Sequence, residues 1–216
     1  MCFSATASFV AGGALSLLGT VTLRKARCRA EVPLALIPLL FGIQQIIEGA
    51  LWLSFQFDLP QIKTSMTYAF TLFSHVLWPI FVPLAVSMVE PDARRKKAIY
   101  AFLLIGIVVA LYLLYLIVSY PVIAEIDEHI VYASPHFYKV PVMLLYLAAT
   151  CMGSLFSSHK LINTFGLTAF ILFGIAYWFY TVAFFSVWCF FAAILSAILY
   201  LYFNLSKYPQ LEVANS

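Results

Sequence analysis

The chain has 216 residues, of which 64% are apolar and only 10% are charged. Ordinary soluble domains are about half apolar and about a quarter charged, so this composition excludes a water-soluble monomer and predicts a polytopic membrane protein. The 12 Lys and Arg against 9 Asp and Glu leave a formal net charge of +3. That charge is too small for a surface that binds the phosphate backbone of a nucleic acid, so the composition excludes nucleic acid as a partner. The expected partner is the lipid bilayer.

Seven apolar stretches are long enough to cross a hydrocarbon core of about 30 Å, which takes about 20 helical residues. Their approximate limits are 2–23, 32–53, 66–89, 98–120, 140–156, 161–183 and 186–203. The first helix begins either near Cys2 or at Ser8. No linker rich in Gly, Ser or Pro divides the chain. The sequence therefore predicts an all-α fold, a seven-transmembrane-helix bundle formed by a single domain of residues 1–216.

Basic residues lie mostly on one side of the predicted membrane. Ten of the 12 fall in the first, third and fifth loops and the C-terminal tail, whereas only Lys63 and Lys139 fall on the other side. Lys and Arg accumulate on the cytoplasmic side in short loops. The pattern predicts an N-terminus outside and a C-terminus in the cytoplasm. The long outer segment, Pro121 to Lys139, is too polar for lipid and is predicted to fold over the mouth of the bundle.

Two ionisable side chains, Glu48 and His75, lie inside predicted spans, where such groups are costly and usually functional. Gln44 shares a helix face with Glu48, which follows it by four residues. Trp78 similarly shares a face with His75, and Pro79 favours a bend there because it removes a backbone hydrogen bond. At 1.5 Å per residue, Glu48 lies about 9 Å and His75 about 13 Å from the outer ends of their spans, which places both in the outer half.

Two cysteines are predicted at the same outer level as His75. Cys2 lies at the outer N-terminus, and Cys189 lies about one turn into the seventh span. Two thiolates and one imidazole suit zinc, and they leave a fourth position open for a reactive water. We therefore hypothesise a zinc site with Cys2, His75 and Cys189 as metal ligands. The spacing is not that of a known metal motif, so the ligands would have to converge from three helices.

The zinc hypothesis predicts a membrane-embedded metalloenzyme. Glu48 would accept or orient a proton, and Gln44 and Trp78 would support it. A zinc-bound hydroxide could hydrate carbon dioxide, as a lyase does, or act as a hydrolase on an acyl or amide bond. Hydration suits a cramped pocket, with a small substrate entering from the outer side. A homo-oligomer is compatible with the sequence.

Other interpretations of the same residues remain open. Cys2 and Cys189 could form a disulfide, serve as small apolar residues, or exchange electrons with a quinone. Glu48 and His75 could pair with each other as a contact between helices. They could also form a proton-responsive pair in a channel, transporter or sensor, which is the main alternative to the enzyme.

Four motifs resemble those of an uncharacterised family of small bacterial seven-helix membrane proteins. They are the opening M-C-F-S-A-T-A-S-F, then Q-Q-x-x-E-G-x-x-W at 44–52, S-H-x-x-W-P at 74–79 and W-C-F-F-A-A at 188–193. The resemblance covers nearly the whole chain. It implies a location in the bacterial inner membrane and implies nothing about activity.

Overall fold

The structure, a computed structural model, describes residues 4–127, 129–133, 140–179 and 191–205. Seven helical segments run through these ranges, and two of them contain a π-helical stretch. The helices are α1 (Ala5–Leu23), α2 (Val32–Gln56), α3 (Pro60–Val89), α4 (Ala93–Ser119), α5 (Val140–Leu155), α6 (Lys160–Phe179) and α7 (Ala192–Leu205). The π-helical stretches are Leu72–Leu77 in α3 and Ala148–Met152 in α5.

Four helices, α1 to α4, are long and apolar enough to cross a membrane within the described ranges. The described parts of α5, α6 and α7 are apolar but shorter. The predicted end of the sixth span and start of the seventh, residues 180–190, lie outside the described residues. The apolar helices therefore indicate a helical membrane protein with four helices of spanning length.

Two helices begin earlier than hydropathy predicts. α3 begins at Pro60 instead of at residue 66, because proline is well suited to the first helical turn. α4 begins at Ala93 instead of at residue 98, because the side chain of Asp92 caps it by accepting a hydrogen bond from the Arg95 amide at 2.8 Å. The basic run 94–97 therefore lies in the first turns of a helix and not in a loop. A search for apolar stretches misses helix ends that are formed by polar residues.

Close backbone packing joins α1 to α2. A Cβ atom on Gly19 would overlap the backbone of Leu39, and one on Gly42 would lie 2.5 Å from Ser16 Oγ. Small residues at such crossings let helices approach without lipid between them. This contact places α2 inside the bundle, with Ala35, Ile37 and other side chains along its length fully buried.

The described residues are helical as predicted, apart from one short β-hairpin between α4 and α5. Strands β1 (Ile123–Asp127) and β2 (His129–Ala133) are antiparallel, with Ala124 opposite Tyr132. Their inward side chains pack on Leu51 of α2 and Phe70 of α3, and the Phe70 and Tyr132 rings stack at 4.4 Å. β-branched and aromatic residues favour such a strand pair. The described part of this segment therefore packs on α2 and α3, and its position over the mouth of the bundle stays a prediction.

Candidate functional site

α2 carries three buried polar side chains near the middle of its length, Gln44, Gln45 and Glu48. Gln44 Oε1 accepts a hydrogen bond from the indole Nε1 of Trp78 in α3 at 2.8 Å. Gln45 donates from Nε2 to Glu48 Oε2 at 3.3 Å. The first bond ties α2 to α3, and the second helps to hold the carboxyl group in place.

The bond between Gln44 and Trp78 sets the register of α2 against α3, which are joined by a short connection and run antiparallel. Glu48 follows Gln44 by four residues in α2. His75 precedes Trp78 by three residues in α3. Because the two helices are antiparallel, both offsets lead from the hydrogen-bonded pair toward the same end of the bundle. Glu48 and His75 therefore lie at one level, about one turn from that bond, and they are 0% and 1% exposed.

His75 lies farther from the start of its helix than predicted, although it remains level with Glu48. Because α3 begins at Pro60, His75 lies about 22 Å along the helix at 1.5 Å per residue, at the middle of its 30 residues. The sequence placed it about 13 Å along, in the outer half, from a span starting at residue 66. Glu48 lies about 12 Å from the end of α2 at Gln56, close to the predicted 9 Å.

The helix around His75 is π-helical where the sequence predicts a bend. In a π-helical turn the amide of residue 79 would bond the carbonyl of Ser74, but Pro79 has no N–H to donate. The hydroxyl of Tyr146 in α5 donates to that carbonyl instead, at 2.5 Å. Proline therefore creates an acceptor in α3 that a third helix uses, and Tyr146 joins the buried polar layer without having been singled out from the sequence.

The imidazole of His75 is held through its Nδ1 side. Nδ1 lies 2.7 Å from Ser74 Oγ, and the ring also bonds the backbone of Thr71. Ser74 Oγ itself donates to the Thr71 carbonyl at 3.3 Å. This pattern assigns the proton to Nδ1, so the neutral ring carries its lone pair on Nε2. Fixing one ring nitrogen in this way sets the tautomer at the other.

A small cavity lies between the two π-helical stretches. It has a volume of about 30 Å³, space for one or two water molecules. Its polar lining comes from Ser74, Trp78, Tyr146, Thr150 and Cys151, and its apolar lining includes Phe41 and Phe165. π-helical segments are rare and often occur at functional sites. The cavity therefore lies between α3 and α5, beside Ser74 and Tyr146 and within a mostly apolar lining.

The two predicted thiolate ligands, Cys2 and Cys189, lie outside the described residues. Within the described ranges no group of three His, Cys, Asp or Glu side chains could hold a metal ion. Cys28 is exposed and Cys151 is buried, and neither forms a disulfide. Of the residues assigned to the site, the structure brings Gln44 and Trp78 into contact and places Glu48 and His75 beside them. The zinc ligand set stays a prediction.

A second buried carboxylate, Glu90, lies just beyond the last residue of α3. It is 3% exposed. It accepts hydrogen bonds from the Ser158 amide at 2.7 Å, Ser158 Oγ at 2.5 Å, Ser157 Oγ at 3.0 Å and the Asp92 amide at 3.1 Å. These bonds tie the α3–α4 connection to the α5–α6 connection. Sequence analysis missed Glu90, although an acid after an apolar run and the Ser-Ser pair at 157–158 were visible signals.

Burial alone would raise the pKa of Glu90, but hydrogen bonds from Ser158, Asp92 and Ser157 outweigh it and lower the pKa below its ordinary value of 4.5. The carboxylate is therefore ionised at neutral pH. A folded-state pKa below the unfolded value stabilises the fold above the unfolded pKa. This stabilisation is lost as the pH falls through the folded pKa.

We expect Glu90→Gln to lower the free energy of unfolding by about 1–3 kcal/mol at pH 7, because it removes a charged acceptor and leaves buried donors poorly paired. The difference from wild type should shrink as the pH falls below 4.5, since wild-type Glu90 then loses its charge too. Thermal unfolding in detergent at several pH values measures this. Asp58→Asn, at an exposed site, is the control. A destabilisation that does not vary with pH would contradict the prediction.

A family model described as "Family of unknown function (DUF6629)" matches residues 1–214 of the chain. No curated protein and no solved structure gave a match. The match spans the buried layer of α2, α3 and α5 as well as the Glu90 contacts. The chain therefore belongs to DUF6629, a family of unknown function.

Proposed function

We propose that the chain is a proton-responsive membrane protein, a channel, transporter or sensor, in which Glu48 and His75 bind and release protons. The observation that carries the proposal is their common level, set by the Gln44–Trp78 hydrogen bond. Both side chains are buried in helices of spanning length. Ionisable groups in such positions are costly and usually serve ion or proton pathways.

The packing around the pair offers a way to couple protonation to shape. A single charge in a bilayer is unfavourable, so a change in protonation of the carboxyl or the imidazole alters which contacts are favoured nearby. The hydrogen bond between Gln44 and Trp78 links α2 and α3 one turn away. The π-helical stretch at 72–77 lies at that point and has backbone hydrogen bonds that can rearrange.

The proposal also covers the number of membrane spans, their orientation and the membrane in which the protein lies. We infer seven spans, an N-terminus outside, a C-terminus in the cytoplasm, and a location in the bacterial inner membrane. The excess of Lys and Arg in alternate connections supports this orientation. Ligands or ions would reach the polar layer from the periplasmic side, and assembly as a homo-oligomer is compatible with it.

The test is whether a buried carboxyl group titrates. Infrared difference spectra of the protein in hydrated lipid, recorded between acidic and alkaline pH, report the C=O stretch of a protonated carboxylic acid. In parallel, a pH-sensitive dye inside liposomes reports proton flux. A carboxyl band that titrates and is assigned to Glu48 supports a channel, a transporter and a sensor equally. Proton flux then distinguishes a channel or transporter from a sensor. Absence of the band overturns it.

A zinc-dependent enzyme is the second candidate, and the geometry of His75 favours it. A metal-binding histidine commonly donates its other ring N–H to an oxygen, which fixes the tautomer. His75 Nδ1 lies 2.7 Å from Ser74 Oγ in such an arrangement. Cys2 and Cys189 would be the remaining ligands, with Glu48 as the proton acceptor. The reaction would be hydration, as in a lyase, or hydrolysis of a small substrate.

Metal analysis of the purified protein tests the second candidate. We expect about one equivalent of zinc, a loss of most of it in Cys2→Ser, and at least about tenfold weaker binding in Ser74→Ala, which removes the support of the His75 ring. Cys28→Ser is the matched control, because Cys28 is exposed. A zinc content below about a tenth of an equivalent that Cys2→Ser leaves unchanged would rule out the metal site.

A further inference from the structure

A groove lies between α1 and α7 and has Gln45 of α2 as its polar part. Its volume is about 230 Å³. The apolar lining comes from five side chains of α1 between Val10 and Leu18 and from Ala193 of α7. It is separate from the cavity beside Tyr146, with which it shares no lining residue.

The side-chain amide of Gln45 forms a hydrogen bond through its nitrogen. Its side chain is 1% exposed, and Nε2 donates to Glu48 Oε2 at 3.3 Å. Within the part of the chain that the structure describes, its Oε1 is buried without a hydrogen-bond donor. An unpaired amide oxygen in an apolar environment costs about 1–3 kcal/mol. The groove therefore contains an acceptor that a ligand could satisfy.

The position of the groove selects ligands that dissolve in lipid. Val10, on its rim, is 66% exposed on a helix of spanning length, so its exposed surface faces acyl chains. Gln45 lies about 20 Å along α2 from Val32, near the middle of that helix. Water is scarce at this depth, so the donor would have to come with a lipid-soluble molecule.

We propose that this groove binds a lipid-soluble alcohol or phenol, whose hydroxyl donates a hydrogen bond to Gln45 Oε1. The volume of about 230 Å³ lies below the usual 300 Å³ of sites for drug-sized ligands, so the groove holds a small amphiphile or one segment of a longer chain. The bound hydroxyl would lie next to the bond between Gln45 and Glu48. The proposal does not depend on proton uptake by Glu48.

Photolabelling with three matched diazirine probes of the same chain length tests this: an alcohol, a ketone and a hydrocarbon. The protein is reconstituted in lipid, and labelled peptides are identified by mass spectrometry. We expect saturable labelling of α1 between residues 10 and 18 by the alcohol. Gln45→Leu should weaken the alcohol's binding by about 3- to 10-fold, the effect of one neutral hydrogen bond, and should leave the hydrocarbon unaffected.

Ala14→Trp provides a second variant, since Ala14 lines the groove yet is exposed to lipid, so a large side chain there fills the groove without entering the core. It should abolish saturable labelling, whereas Leu104→Trp on the lipid-exposed face of α4 should not. Equal labelling by alcohol and hydrocarbon would show ordinary lipid contact and overturn the proposal. Preference for the ketone would overturn it too, since it would mean that the amide presents its N–H₂ group. Neither outcome affects the carboxyl titration of Glu48.

Discussion

Glu48→Gln is expected to abolish the pH-dependent carboxyl band and to reduce any pH-dependent proton flux at least about tenfold. Gln has nearly the same shape as Glu and can still bond Gln45, whose Nε2 contacts Glu48 Oε2 at 3.3 Å. The packing should therefore persist while the titrating proton is lost. Infrared difference spectra and the dye assay in liposomes measure the two effects on the same preparation.

Glu125→Gln is the matched control, because Glu125 lies exposed on β1 and undergoes the same chemical change. His75→Gln adds a test of coupling. If Glu48 and His75 interact across the helix contact, this variant should move the midpoint of the Glu48 titration by about one pH unit or more. A carboxyl band that survives Glu48→Gln unchanged would contradict the assignment, and an unmoved midpoint in His75→Gln would show that the two groups act independently.

Gly106→Ala is expected to lower the free energy of unfolding by about 3 kcal/mol or more, through overpacking against a backbone that cannot move aside. A Cβ atom on Gly106 of α4 would overlap the carbonyl oxygen of Pro79 and lie 2.7 Å from its carbon. Pro79 follows His75 by one turn in α3, so the displaced helix also disturbs the polar layer. Thermal unfolding in detergent measures the loss, and the infrared titration should change with it.

Gly174→Ala in α6 is the control, because a Cβ atom there meets nothing within 4 Å. Alanine has the higher helix propensity, so this variant should be neutral or more stable by up to about 1 kcal/mol. Equal effects of the two substitutions would mean that the close approach of α3 and α4 at Gly106 does not limit stability.

Composition and periodicity predicted much of the buried layer. Gln44 and Glu48 recur at helical spacing in an apolar stretch, and so do His75 and Trp78. All four side chains are buried in the structure. Such patterns work because helical spacing and the length of an apolar stretch can be read from the local sequence. Helix ends were less well predicted, because capping by Asp92 and the first turn at Pro60 involve polar residues that hydropathy treats as loop.

Charge scarcity, the apolar helices and the presence of Glu48 and His75 within them were therefore determined by the sequence itself, whereas the burial of Glu90 was not. The tertiary structure alone decided which groups meet. The bond from Trp78 to Gln44 and the bond from Tyr146 to the Ser74 carbonyl join different helices. Local periodicity carries no information about such contacts, because they depend on helix register and on the carbonyl that Pro79 leaves without an N–H partner. Helix packing thus turns isolated polar residues into a layer with a definite geometry.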